Sequence, residues 1–138
     1  NYYNEFIRLD YRNTNGVGPW YDLAVGSSTH GLSFAVTQEY EEFMDDGTAH
    51  AFRWSFRDVS RIPISQVAEL QVDFFYVPKV NDLKDYHLYS EIALLTMFWK
   101  DYLGLRLARI DEVDNRPSPG IKKHDAFWLT SLNLRFGK

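Results

Sequence analysis

The last third of the chain shows the clearest alternation of apolar and polar positions. From Leu103 to Ala108, leucine alternates with glycine, arginine and alanine, and a second alternating stretch runs from Trp128 to Phe136. A period of two places alternate side chains on opposite faces of a β-strand. Between these stretches, the segment from Asn115 to Lys123 contains two prolines and a glycine, which favour a loop. The pattern therefore predicts two antiparallel strands joined by a loop.

The same period recurs in six earlier stretches, which are separated by clusters of turn-forming residues. Only Tyr86–Leu107 offers a serious helical alternative, and the alternation around Glu91 and Ala93 favours two strands there. Residues 1–138 are thus predicted to form one all-β domain, an antiparallel up-and-down barrel of about eight strands, alone or as the C-terminal part of a longer barrel. The six earlier predicted strands are Tyr3–Arg12, Trp20–Ser28, Leu32–Phe43, Ala49–Val59, Gln66–Val77 and Tyr86–Trp99.

Composition excludes several classes of protein. The chain has no cysteine, so disulfide frameworks and thiolate metal sites are excluded. Its net charge of −4 and the lack of clustered basic residues argue against a nucleic-acid partner. No run of eighteen apolar residues could form a transmembrane helix, and no signal-type segment opens the sequence at Asn1. The aromatic content of 17% suits strands.

The polar faces of the predicted strands carry arginine and carboxylate but no lysine. All six lysines lie in predicted connections or at the end of the chain, whereas a strand face in water would use lysine freely. Arginine's planar guanidinium group pairs well with carboxylates in a crowded interior. We therefore predict a transmembrane barrel with an ion-paired interior. The predicted network comprises Arg8, Asp10, Asp22, Glu39, Glu41, Arg53, Arg57, Glu69, Asp73, Glu91, Arg106 and Arg135.

Connection lengths also favour a membrane barrel over a soluble one. Counted back from the C-terminus, long connections at 115–122, 78–85, 44–47 and 13–19 are predicted to alternate with tight ones at 99–101, 60–65 and 29–31, although 44–47 is no longer than 60–65. Transmembrane barrels have short periplasmic turns and longer external loops. The apolar faces, including Leu105 and Leu132, would then contact lipid. In a soluble lipocalin-like barrel they would instead line a ligand cavity.

The loop and the last strand resemble a known family. The chain is similar to the salt-induced outer-membrane protein family (YdiY-like) in Tyr89-Ser90-Glu91, in the closing Leu134-Arg135-Phe136 and in the loop. His124 and the final Gly137-Lys138 depart from the family pattern. The resemblance implies a β-barrel in the bacterial outer membrane but no activity. The matching loop residues, predicted to face the cell exterior, are Asn115, Pro117, Pro119, Gly120, Lys122, Lys123 and Asp125.

No arrangement of residues indicates catalysis, a cofactor or a metal. The four histidines lack metal-ligand spacing. His87, Ser90 and Glu91 are the nearest approach to a hydrolase site, but His87 and Ser90 should lie on opposite faces of a strand. Eight tryptophan and tyrosine residues could form an aromatic surface that binds carbohydrate. They lie near predicted strand ends, however, which favours aromatic girdles at the membrane interfaces. They are Trp20, Trp54, Trp99, Trp128, Tyr2, Tyr3, Tyr76 and Tyr86.

The sequence therefore predicts a non-enzymatic outer-membrane barrel with a structural, anchoring or partner-docking role. Its expected partners are outer-membrane lipid and lipopolysaccharide, together with proteins that contact the external loops or belong to a larger envelope complex. A channel for ions or small solutes is the alternative if the complete barrel has more strands. Eight strands leave room only for side chains.

Overall fold

The computed structural model describes residues 9–43, 47–98, 103–117 and 122–134. These residues contain strands and connections but no helix, and so none that could cross a membrane. The all-β class and the single antiparallel sheet of eight strands are confirmed. The strands are β1 (Leu9–Val17), β2 (Trp20–Val25), β3 (Ser28–Phe43), β4 (Thr48–Pro63), β5 (Ala68–Lys79), β6 (Asp82–Phe98), β7 (Leu103–Asp114) and β8 (His124–Leu134).

From β3 to β8 each strand pairs with the next one in sequence. The connections 44–47, 80–81 and 115–123 lie at one end of the sheet, here named the loop end. The connections 26–27, 64–67 and 99–102 lie at the opposite end, here named the turn end. Within the described ranges the sheet is not closed, because β8 pairs only with β7.

The predicted turn at Asn13–Pro19 does not reverse the chain. β1 and β2 both pair antiparallel with β3, and they lie end to end along its edge. At the junction, the Phe34 amide donates to the Pro19 carbonyl at 3.3 Å. A Cβ atom at Gly18 would collide with the β3 backbone, so glycine permits the close approach. β1 and β2 therefore occupy a single strand position at the edge of the sheet, because the 16-residue β3 is long enough to pair with both. The turn-forming residues produce only a local irregularity at this edge.

The predicted loop at 78–85 is mostly strand. β5 continues to Lys79, β6 begins at Asp82, and a two-residue connection joins them. The predicted alternation of long and short connections is therefore wrong at this position, and 115–123 is the longest connection at the loop end. The view that every lysine lies in a connection is also wrong, because Lys79 and Lys84 belong to strands.

The register places apolar and charged side chains on opposite faces of the sheet. On the apolar face, Phe34 lies opposite Phe56, which lies opposite Tyr76. These rings pack in sequence, with centroids 4.9 Å apart for Phe34–Phe56 and 6.3 Å apart for Phe56–Tyr76. The opposite face carries Arg53 and Arg57. Cross-strand pairs of this kind stabilise the sheet and fix its register.

Burial follows the charged face rather than the apolar one. Glu39 and Arg53 are each only 5% exposed, whereas Leu132 on the apolar face is 62% exposed. The buried positions of the charged face also include small residues such as Ala93 and Ala108. Small side chains leave room for the long arginines beside them. The sheet thus has an inside-out arrangement, with buried charged residues and exposed apolar residues, which is the reverse of the pattern in water-soluble proteins.

The large apolar side chains of the apolar face form a band, here named the apolar band. This band crosses the rows of register partners obliquely. One row of register partners runs from Ser60 on β4 through Val72 and Ile92 to Arg109 on β7. In β4, the large aromatic residues lie on the loop-end side of this row. In β7, the leucines from 103 to 107 lie on its turn-end side. The band therefore shifts steadily toward the turn end from β4 to β7.

Candidate functional site

The charged face is centred on a buried arginine that joins three strands. Arg53 on β4 donates from Nε to Glu39 Oε1 on β3 at 2.8 Å and from Nη1 to Asp85 Oδ1 on β6 at 3.0 Å. The guanidinium group thus reaches across β5, which lies between β4 and β6. Lys79 Nζ lies 3.8 Å from the second oxygen of Asp85. Two carboxylates and two cations therefore neutralise one another in this cluster.

A second cluster lies closer to the turn end. Arg57 donates to both carboxylate oxygens of Asp73, at 3.2 and 2.8 Å. Asp73 is the register partner of Glu91, which also accepts a hydrogen bond from the Tyr89 hydroxyl. Glu91 pairs with Arg106. Each carboxylate thus has a cation beside it, which offsets the repulsion between two adjacent acids.

Amide and carboxylate groups extend this second cluster across the sheet. Arg106 on β7 donates from Nε to Gln71 Oε1 on β5 at 3.3 Å, reaching across β6. Gln71 donates to Glu69 at 2.8 Å, and Arg61 lies 3.6 Å from the same Glu69 oxygen. The charged side chains therefore pair with one another across this face, and hydrogen bonds and ion pairs link β4, β5, β6 and β7.

The structure places most of the predicted network on this one face. It brings Arg53 together with Glu39, Arg57 with Asp73, and Arg106 with Glu91, while Glu41 lies opposite Ala49. Asp22 is also on this face, but it accepts a hydrogen bond from Trp20 Nε1 at 2.7 Å. Arg8 and Arg135 lie outside the described residues, as does the side chain of Asp10.

Sequence reasoning missed Asp85 and Lys79, which complete the cluster around Arg53. Both residues were assigned to a loop because Pro78 and the charged residues after it read as a break. Pro78 is instead buried opposite Tyr86, within the paired segment. The alternation of Asp85, His87 and Glu91 with apolar residues was the signal that extends β6 to this point.

The loop motif begins with a residue that ties β7 to β6. The side-chain amide of Asn115 donates to the Lys84 carbonyl at 2.6 Å, and its backbone amide donates to the Tyr86 carbonyl at 3.0 Å. Arg116 also forms an ion pair with Asp82 at 2.8 Å. The start of the loop is therefore held against β6. Pro119 and Gly120 lie outside the described residues, whereas Lys122, Lys123 and Asp125 are exposed.

The structure separates the predicted His87–Ser90 pair but brings a different serine and histidine together. His87 lies on the charged face and Ser90 on the apolar face. On the apolar face, the Ser60 hydroxyl donates to Asp58 at 2.7 Å and lies 2.7 Å from His30 Nδ1. Because the Ser60 hydroxyl has a single hydrogen and donates it to Asp58, it acts as the acceptor toward His30.

This Asp58–Ser60–His30 chain lacks the arrangement of a nucleophile. A catalytic serine must give its proton to the histidine, whereas here the histidine acts as donor. Ser60 is also only 4% exposed. The cluster therefore serves as a hydrogen-bonded link between β3 and β4. Within the described ranges, no group of three or more His, Asp or Glu side chains could hold a metal ion.

Trp20 and Trp54 differ in position from the predicted girdles. Trp20 lies on the charged face, opposite Ser33, and its ring covers Gly31. Trp54 lies within β4 and stacks on Phe34 with centroids 5.2 Å apart, while Tyr76 packs on Tyr86. Trp128 lies on the apolar face near the Arg109 guanidinium group. Trp99, Tyr2 and Tyr3 lie outside the described residues.

Replacing Arg53 by alanine is expected to destabilise the fold strongly. The change would leave Glu39 and Asp85 without their shared cation in a buried position, and breaking a buried pair costs about 3–5 kcal/mol. The measurement is the free energy of unfolding of the refolded protein in urea, supported by the temperature at which the folded form is lost on gels.

Arg57→Ala is the matched control for this experiment. It removes the same side chain from the same face and strand, but the Arg57 side chain is 44% exposed. An exposed pair contributes about 0–1 kcal/mol. Equal losses for the two variants would show that burial does not set the strength of these interactions.

Comparison with known proteins places the chain in a family. No curated protein and no solved structure matches it. The model of a family described as "Protein of unknown function, DUF481" matches residues 2–136. Because this match covers nearly the whole chain, the protein belongs to the DUF481 family, which contains the YdiY-like proteins.

Proposed function

We propose that the protein is a non-enzymatic β-barrel of the bacterial outer membrane, with the charged face lining the interior and the apolar face in contact with lipid. One observation carries the proposal, namely that the buried ion pair Arg53–Glu39 lies on one face while large apolar residues such as Phe52 and Leu132 are exposed on the other. Membrane barrels have apolar exteriors and polar interiors. A soluble lipocalin-like barrel would require the reverse burial.

The oblique apolar band supports the same proposal. Strands of a closed barrel tilt by about 35–45° from the barrel axis, so a level belt of lipid crosses their register obliquely. The apolar band has the shift that this tilt would require, because it moves toward the turn end relative to the row from Ser60 to Arg109. Lipid contact also accounts for the apolar area exposed across several strands, which would be a liability in water.

Polar clusters border the apolar band at both ends. His30, Asp58 and Ser60 lie on the apolar face at the turn end. Toward the loop end, Asp111 pairs with Arg109 at 2.8 Å and with His124 at 3.1 Å. These positions suit the two membrane interfaces, where charged side chains meet lipid headgroups and, on the outer side, lipopolysaccharide.

The ion pairs that cross between strands on the charged face favour an anchoring or docking role over transport. Arg53, Arg57 and Arg106 each extend toward carboxylates that belong to other strands, and thus occupy the space that a pore would need. The loop-end connection 115–123, with exposed Lys122 and Lys123, would then present the contact surface for partners outside the cell. The resemblance to salt-induced outer-membrane proteins supports this location.

Introducing arginine at Leu105 tests the contact with lipid. Leu105 lies in the apolar band opposite Leu132 and Thr96. A charge near the bilayer midplane is expected to reduce the free energy of unfolding in lipid vesicles by about 2–4 kcal/mol.

Ala126→Arg is the depth control for Leu105→Arg. Ala126 lies on the same face of the sheet, opposite Asp111 in the polar cluster toward the loop end. Near the interface the same side chain should cost about 0–1 kcal/mol. If Leu105→Arg were as mild as the control, Leu105 would not contact the membrane interior.

An epitope inserted after Ser118, a position outside the described residues, tests the orientation. The loop end is expected to face the cell exterior because its connection 115–123 is longer than any at the turn end, and transmembrane barrels have longer loops outside. Antibody should therefore label intact cells. An epitope inserted in the turn-end connection after Ser65 should be labelled only after the outer membrane is permeabilised, and the opposite pattern would reverse the orientation.

A further inference from the structure

The two edges of the sheet run in the same direction. β1 and β2 share one edge position beside β3, so the order β1-β3-β4-β5-β6-β7-β8 gives seven positions across the sheet. Six antiparallel junctions separate the β1/β2 edge from β8. Since each junction reverses direction and six is even, β8 is parallel to β1 and β2. All three strands run from the loop end to the turn end.

Because the two edge positions run in the same direction, the described strands cannot close an antiparallel barrel by themselves. If β8 paired directly with β1 and β2, the barrel would contain one parallel junction. Bacterial single-chain outer-membrane barrels have an even number of antiparallel strands. An odd number of strands must therefore lie between β8 and the β1/β2 edge.

A second copy of these seven strand positions cannot supply a strand that pairs antiparallel with both edges. Copies inserted in one membrane share one orientation, so β8 of one copy would again run parallel to β1 and β2 of the next. A copy turned upside down would pair antiparallel, but its loop end would face the opposite side of the membrane. The missing strand must therefore come from sequence outside β1 to β8.

We propose that one further strand of the same polypeptide, outside β1–β8 and running from the turn end to the loop end, pairs with both edges and closes an eight-position barrel. This proposal rests on the proposed membrane barrel and names the element that completes it. The strand would satisfy the backbone donors and acceptors that both edges leave open within the described part of the chain, since a bilayer does not tolerate unpaired backbone groups.

The side chains at the two edges indicate the chemistry of the strand. On the charged face, β8 presents Phe127 and Leu129, which are 47% and 44% exposed, and β2 presents Trp20. These exposed apolar residues lie at the two edges of the charged face. The strand should therefore carry small or apolar residues on its inner side to cover them. Its outer side should be apolar, to continue the band beside Trp128 and Tyr21.

Cysteine cross-linking in the full natural polypeptide tests this proposal, because residues 1–138 contain no cysteine. Thr130→Cys is combined in turn with Val17→Cys, Tyr21→Cys, Leu23→Cys or Val25→Cys, all on the apolar face. Leu107→Cys with Thr130→Cys is the control, since these residues are register partners. Proteins are assembled in outer-membrane vesicles and treated either with an oxidant or with a bismaleimide that spans about two strand spacings, roughly 10 Å.

The control pair should form a disulfide, and none of the edge pairs should, because a disulfide needs Cα atoms within about 7 Å. At least one edge pair should be joined within one chain by the bismaleimide. A disulfide between the edges of one chain, a disulfide-linked dimer, or no product with either reagent would each overturn the proposal. A control disulfide in protein that does not associate with the membrane would instead contradict the proposed function.

Discussion

The ion pairs of Arg53 decide which face of this sheet can be inside. The guanidinium group lies between Glu39 and Asp85 and is almost completely buried. Removing these charges from water costs several kcal/mol per ion unless each charge finds a partner in good geometry. The arrangement from β3 across β5 to β6 supplies those partners. The long arginines also require small neighbours, which explains the fully buried Ala93 and Ala108 on the same face.

Once the charged face is inside, the outer face needs an apolar surrounding. Its aromatic and leucine side chains are exposed on strand after strand, and they form a band whose position shifts with the register. The proposed tilted barrel would satisfy both faces together, because lipid would contact the band while the paired charges lined the interior. The polar groups around Ser60 and Asp111 then meet the two interfaces. The fold, the burial pattern and the proposed location thus agree with one requirement, namely that the charges around Arg53 are buried and paired.

Much of this structure was predictable from the alternation of residue types. The strands β2 to β6 lie within four residues of their predicted bounds at each end, because a strong contrast between faces specifies a half-buried strand. The same contrast identified Arg53, Arg57 and Arg106 and their partners Glu39, Asp73 and Glu91. Predicting faces required no knowledge of tertiary contacts, since side-chain direction is fixed by the period of two.

Long-range pairing accounts for what sequence reasoning missed. Gly18 and Pro19 have turn chemistry, yet pairing with β3 keeps the chain straight through them. Pro78 reads as a break, but its missing donor is tolerated and β5 continues to Lys79. Asp85 was therefore assigned to a loop and omitted from the site. The contact between Ser60 and His30 was missed because they are 30 residues apart in sequence and meet only through the β3–β4 register.

The inside-out arrangement can be tested most directly by the fluorescence of single tryptophans in lipid vesicles. Trp54 lies on the apolar face and Trp20 on the charged face. Two variants would each retain one of these residues, with every other tryptophan replaced by phenylalanine. Lipids brominated in their acyl chains should quench Trp54 strongly and Trp20 weakly. Strong quenching of Trp20 with protection of Trp54 would contradict the account, because the charged face would then be the one that contacts lipid.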